Sequence, residues 1–151
     1  MNATMKKFGY PETCIQEFDR WVLLLRPKQV TLGALVLICT ESATAFSMLS
    51  REAFIELGEI TRQIEGMLSH AFAYDKINYL MLMMVDPDVH FHVLPRYAQP
   101  RAFGGLEFQD FGWPGPPRLE QVNTTDTPMN KALIEHLQAT AVKSGLSVKD
   151  I

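Results

Sequence analysis

Two short apolar runs set the first regular structure in the chain. Trp21–Leu25 and Leu32–Cys39 are rich in Leu and Val and are bounded by Arg26-Pro27 and Glu41-Ser42, the pattern of neighbouring strands. Pro27 cannot donate to a sheet ladder, so the polar segment Arg26–Thr31 is expected to form a hairpin loop of about six residues. After Ser50 the period changes. Phe54, Leu57, Thr61, Ile64, Leu68 and Phe72 recur close to every 3.6 residues and predict a long amphipathic helix. Ser50 suits its N-cap, and Glu52 places negative charge in the first turn, where the helix dipole favours it. Gly58 and Gly66 each cost about 1 kcal/mol relative to Ala, so packing rather than propensity must hold this helix.

Ile77–Val85 is almost continuously apolar and predicts a central strand, closed by the Asp86-Pro87 turn. Val89–Leu94 alternates in character, as a further strand would. From Pro95 to Pro128 the chain turns to Pro, Gly, aromatic and polar residues, including Phe103-Gly104-Gly105 and Trp113-Pro114-Gly115-Pro116-Pro117. Irregular chain packed over the surface is expected across about 98–127. Thr127 then offers an N-cap with Pro128 at the first helical position. Met129, Leu133, Leu137 and Ala141 mark one face of a final helix over about 128–142.

Composition narrows the class. The 151 residues are 47% hydrophobic and 21% charged, enough apolar material for one core, so residues 1–151 are expected to form a single domain. Fourteen Lys and Arg against 17 Asp and Glu give a net charge of −3, which argues against a nucleic-acid partner held by a basic face. A phosphate-bearing substrate needs only local donors. Cys14 and Cys39 have no CxxC or His-rich partner segment and read as reduced core thiols of a cytoplasmic protein. The amino terminus carries no apolar run long enough for a signal peptide. The longest uncharged stretch, Gln29–Thr40, has 12 residues against the roughly 20 needed to span a bilayer, so no membrane partner is expected.

Chemistry concentrates in Asp88-Val89-His90-Phe91-His92-Val93-Leu94-Pro95-Arg96-Tyr97. On a strand Val89, Phe91 and Val93 point to the core while Asp88, His90 and His92 share the opposite face, about 7 Å apart. Three readings fit this pattern. The histidines could decorate a half-exposed strand. They could begin a metal site, which needs a third ligand; Asp88 is the candidate, since His70 and His136 fall on predicted helices. Or one neutral imidazole could attack phosphorus, with its second nitrogen fixed by a hydrogen bond and nearby donors holding the non-bridging oxygens.

His90-Phe91-His92-Val93-Leu94-Pro95-Arg96 resembles the last part of the histidine triad (HIT) signature, in which alternating histidines and hydrophobic residues lead to two hydrophobic residues and often Pro-Arg. The resemblance extends to Trp21–Arg26, Thr31-Leu32-Gly33 and Val36-Leu37 as the family's opening hairpin, Phe54–Phe72 as its long helix, and Asp75-Lys76-Ile77-Asn78 as the start of its central strand. It covers roughly residues 12–100. It implies an α+β HIT-like fold: an antiparallel sheet of about five strands, one long helix and a C-terminal helix, commonly as a homodimer. The implied activity is that of a nucleotide hydrolase or nucleotidyl transferase. It would act on the α-phosphate of a dinucleoside polyphosphate or nucleoside phosphoramidate through a covalent nucleotidyl-histidine intermediate. His90 takes the place of the nucleophile, and His92 that of the histidine contacting phosphate or bridging oxygens. No metal site in the protein and no required cofactor are implied, with Mg²⁺ accompanying a polyphosphate substrate.

Two departures stand out. Asp88 occupies the place of the first histidine, where an ionised carboxylate brings only acceptors and could fix an imidazole tautomer. Met83-Met84-Val85-Asp86-Pro87 replaces a longer Gly-rich loop ending in Gly-Gln, which makes the chain similar to the short-loop branch of diadenosine tetraphosphate hydrolase-like HIT proteins. Arg26, Asn78, Arg96 and Arg101 are then the candidate substrate-binding residues, and Trp113-Pro114 is expected to pack on the sheet. The alternative function is a nucleotide-binding HIT-fold protein with weak or no catalysis, because the first histidine is Asp88.

Overall fold

The Leu- and Val-rich runs are unbroken because both faces of their strands are covered, which removes the need for polar alternation. In the computed structural model, which describes residues 1–143, β1 (Cys14–Glu17), β2 (Trp21–Leu25), β3 (Leu35–Cys39), β4 (Lys76–Leu80) and β5 (His90–Arg96) form an antiparallel sheet in the order β1-β2-β3-β5-β4. On one face Trp21, Leu23, Leu25, Leu35 and Leu37 pack with α2 (Arg51–Phe72) and α3 (Thr127–Lys143). On the other, Val22, Leu24, Val36 and Ile38 pack with Met5 of α1 (Ala3–Lys7) and with Phe8. The architecture is α+β, with the expected five-stranded sheet, long helix and C-terminal helix.

Several expectations need correction. The β2–β3 connection runs from Arg26 to Ala34, because β3 begins at Leu35 rather than Leu32. Its shape comes from the buried side chain of Gln29, which donates to the carbonyls of Arg26 and Ala34 and accepts from the Gly33 N–H at 2.9 Å. Gly33 has a φ of +82°, and a Cβ there would lie 2.9 Å from Phe72 Cε2. Gly33→Ala therefore combines left-handed strain with overpacking. It is expected to destabilise the protein by about 2–4 kcal/mol, measurable by urea unfolding.

Ser50 caps α2 as expected, its hydroxyl accepting from Ala53 N–H. The buried stripe, however, is rotated from the predicted one: Ala53, Ile60, Gln63, Ile64, Met67, Leu68 and Phe72 face inward, while Phe54 is 40% exposed. The run 77–85 is not a central strand. β4 ends at Leu80 and lies on the sheet edge, and Met84 is 85% exposed in the loop that follows. Within the segment expected to be irregular, β6 (Arg101–Phe103) and β7 (Leu106–Phe108) form a hairpin. Gly104 and Gly105 both take positive φ, as a tight two-residue hairpin turn requires. Thr127 is helical, and the cap is Asp126, whose carboxylate accepts from Met129 N–H.

Candidate active site

β5 divides its side chains as its alternation predicts. Val89 and Val93 enter the core beneath α2, with Phe91 packed against it, while His90 and His92 turn to the opposite face, under α1. His90 and His92 are 1% and 7% exposed. Their rings meet edge to face with centroids 5.2 Å apart, and the Phe8 ring lies 6.3 Å from His90 and 5.7 Å from His92. Both histidines line a cleft of about 370 Å³. Lys7, Arg26 and Lys28 bring positive charge to its walls, Asp86 brings one negative charge, and Phe8, Leu82 and Leu119 bring apolar surface.

The backbone fixes the His90 ring. Its Nδ1 lies 2.6 Å from the carbonyl oxygen of Asp88. A carbonyl only accepts, so Nδ1 carries a proton, and in the neutral form of the ring the lone pair lies on Nε2. Asp88 therefore orients His90 through its main chain. Its carboxylate, the group expected to do so, turns instead to Thr4, accepting from the Thr4 N–H at 3.2 Å and the Thr4 hydroxyl at 2.9 Å.

Burial pushes the His92 imidazole down to about 4, helped by the charges of Arg26, His90 and Lys7 and opposed by Asp86. His92 is thus neutral at pH 7, and its Nδ1 is buried with no hydrogen-bond partner among the described residues. Because this pKa is lowered on folding, the unfolded chain takes up a proton first as pH falls. The contribution of His92 to stability is complete above about pH 6.5 and is lost progressively toward pH 4. Between pH 7 and 4.5 the wild type is expected to lose on the order of 2 kcal/mol more stability than His92→Gln, as read by denaturant titration at each pH.

The remaining candidates divide. Arg26 lies in the cleft, with one terminal nitrogen donating to the Lys28 carbonyl and its Nε buried without a partner. Asn78, Arg96 and Arg101 do not line it. Arg96 is bidentate to Asp110, with Nε–Oδ2 at 2.6 Å and a second bond at 3.0 Å, and also donates to Asn78 and to the Gly115 carbonyl. Arg101 donates to the carbonyls of Phe72 and Ala73 at the end of α2 and lies over the Tyr97 ring. Trp113-Pro114 lines a separate hollow with Lys76, Asn78 and Arg96.

No group of three metal-ligating side chains is gathered among the described residues. His136 packs against the rings of Phe72 and Phe103. Sequence reasoning missed Lys7, Phe8 and Lys28. Nothing local to Lys7 places it on the same face of the sheet as His90.

No protein-family model matches the sequence, and no curated protein is similar to it. Solved structures do match. A histidine triad protein from Sinorhizobium meliloti 1021 superposes with a TM-score of 0.73 at 16% identity, over 93% of this chain and 95% of that one. One from Marinobacter aquaeolei VT8 gives 0.70 at 20% identity, over 95% and 96%. The diadenosine triphosphate hydrolase of Plasmodium falciparum gives 0.57 at 9% identity, over 89% and 78%. With its five-stranded antiparallel sheet, long helix and His90-Phe91-His92 on β5, this chain has the fold of the histidine triad proteins.

Proposed function

We propose that the cleft binds the phosphates of a nucleotide and that His90 is the nucleophile of a hydrolase or nucleotidyl transferase. The substrate would be a dinucleoside polyphosphate or a nucleoside phosphoramidate. The observation that carries this is the 2.6 Å contact from His90 Nδ1 to the Asp88 carbonyl, which directs the lone pair of the neutral ring to Nε2, in a cleft where Lys7, Arg26 and Lys28 outnumber Asp86. In the first step Nε2 forms a bond to the α-phosphorus as the bond from phosphorus to the leaving group breaks, and the leaving group departs with that electron pair. In the second, water oxygen bonds to phosphorus and gives up a proton to solvent, while the N–P bond breaks and its electron pair returns to Nε2, restoring the neutral imidazole. Lys7, Arg26 and Lys28 offset the charge of the phosphates, and neutral His92 offers a ring N–H to a phosphate oxygen.

The likeness to the fold of the Plasmodium hydrolase supports this reading. A second function, nucleotide binding without turnover, is favoured by the 1% exposure of His90 beneath Phe8. One experiment separates the two. The protein is mixed with diadenosine polyphosphate, quenched in denaturant and digested. A single nucleotidyl group on the peptide containing His90 is the expected result. Nucleotide that raises Tm but leaves no adduct and no product points to binding alone.

A further inference from the structure

α1 is too short to be stable by itself, yet it lies across the reactive face, and its contacts explain why. At its start the Asn2 side chain caps Met5 N–H and donates to the Cys39 carbonyl. Thr4, 1% exposed, sends both its N–H and its hydroxyl to one oxygen of Asp88. At its end Lys7 Nζ lies 2.9 Å from Asp86, and Phe8 packs on both imidazoles. Gly9, with a φ of +88°, then turns the chain away at a point where a Cβ would lie 2.8 Å from Thr13 Cγ2. Both ends of the helix are therefore tied to the two-carboxylate turn Asp86-Pro87-Asp88, the same turn whose last carbonyl holds His90.

We propose that Asp88 is a positioning residue: its carboxylate latches α1 through Thr4, which makes Lys7 and Phe8 part of the site, while its carbonyl sets the His90 tautomer. The carboxylate takes no part in proton transfer or in contact with substrate. Its negative charge is directed to the donors of Thr4 rather than to an incoming phosphate. Removing it leaves the buried N–H and hydroxyl of Thr4 without their acceptor, a cost that falls on the docking of α1 rather than on the sheet. The kinetic half of this proposal rests on His90 as the nucleophile; the structural half does not.

The test uses the full chain and the variants Asp88→Ala, Thr4→Val and Thr4→Ser. Asp88→Ala keeps the carbonyl that holds His90, and Thr4→Ser keeps the hydroxyl. Amide hydrogen exchange over residues 5–8 and carbethoxylation of His90 and His92 by diethyl pyrocarbonate are followed by mass spectrometry. Both rates are expected to rise on the order of tenfold in Asp88→Ala and Thr4→Val, and to stay near wild type in Thr4→Ser. With diadenosine polyphosphate, the two latch-breaking variants are expected to raise KM about tenfold while kcat changes less than about threefold.

Unchanged exchange and modification in Asp88→Ala overturn the latch. A collapse of kcat with unchanged exchange also overturns it, since Asp88 would then act on the chemistry itself. Should Asp88→Ala not fold, Lys7→Ala decides: an unchanged KM there shows that α1 contributes nothing to binding and ends the proposal. A wild type that forms no product or adduct sinks the proposed function alone, because exchange and modification still judge the latch.

Discussion

Replacing His90 with alanine is expected to abolish the nucleotidyl adduct and to lower turnover by on the order of 10⁴-fold. The expectation rests on the ring having two separate assignments. Nδ1 is spent on the Asp88 carbonyl, so the ring cannot swing away, and only Nε2 is left to attack. Among the described residues of the cleft no other group is free to stand in: the Asp86 carboxylate is held by Lys7. His92 lacks a partner for its buried Nδ1, so nothing fixes its tautomer, and the lysines and Arg26 are cations. A loss this large must be separated from unfolding, which an unchanged far-UV spectrum and an unchanged nucleotide-induced rise in Tm would do. His90→Gly supplies a second reading, since added imidazole can occupy the vacated volume and restore part of the turnover. Hydrolysis that survives at wild-type rate in His90→Ala would remove His90 from the chemistry.

The second large effect lies on the same strand, at the opposite end. Arg96→Ala is expected to cost about 3–5 kcal/mol, because it leaves the carboxylate of Asp110 buried without its counter-charge. The two side chains are 5% and 1% exposed, so water cannot compensate. For a chain of this length the loss corresponds to a fall in Tm of roughly 10 °C. Arg96→Lys is expected to recover little, since an ammonium cannot reproduce the planar fork that reaches Asp110, Asn78 and Gly115 together. The double change Arg96→Met with Asp110→Leu is expected to cost much less than Arg96→Ala alone. Thermal and urea unfolding of the three variants check this. A Tm for Arg96→Ala within about 2 °C of wild type would show that the pair contributes little.

What could be read from the sequence follows a physical division. β2 and β3 were legible because burial on both faces leaves an unbroken apolar run, and the α2 start was legible because Ser50 is a local cap. The pair His90 and His92 was legible from strand alternation alone. α1 was not, since a helix of five residues carries no periodic signal and is held by Asp86 and Asp88, far along the chain. The edge position of β4 was hidden because Met81–Val85 continue its apolar character past the point where pairing stops. Arg96 is the sharpest case. An arginine aimed at a phosphate and one aimed at Asp110 look the same in a sequence, and the motif that placed Arg96 near the histidines gave no hint of its partner. Asp88 misled differently: its side chain drew attention, but its carbonyl, a group every residue carries, orients His90.

The loop that the Gln29 side chain shapes is also tied, through the Gln29 main chain, to a distant segment. Asn123 donates to the Gln29 and Gln109 carbonyls and accepts from Gln109 N–H, so the loop bearing Arg26 and Lys28 is sewn to the segment 109–123, which Asp110 ties to Arg96. Two segments more than ninety residues apart in sequence are thereby joined, and they are expected to exchange their amides at a common rate, as one cooperative unit of local unfolding. Loosening the segment 109–123 is then expected to shift Arg26 and Lys28, so a change near Trp113 would reach the wall of the cleft from the far side of the chain.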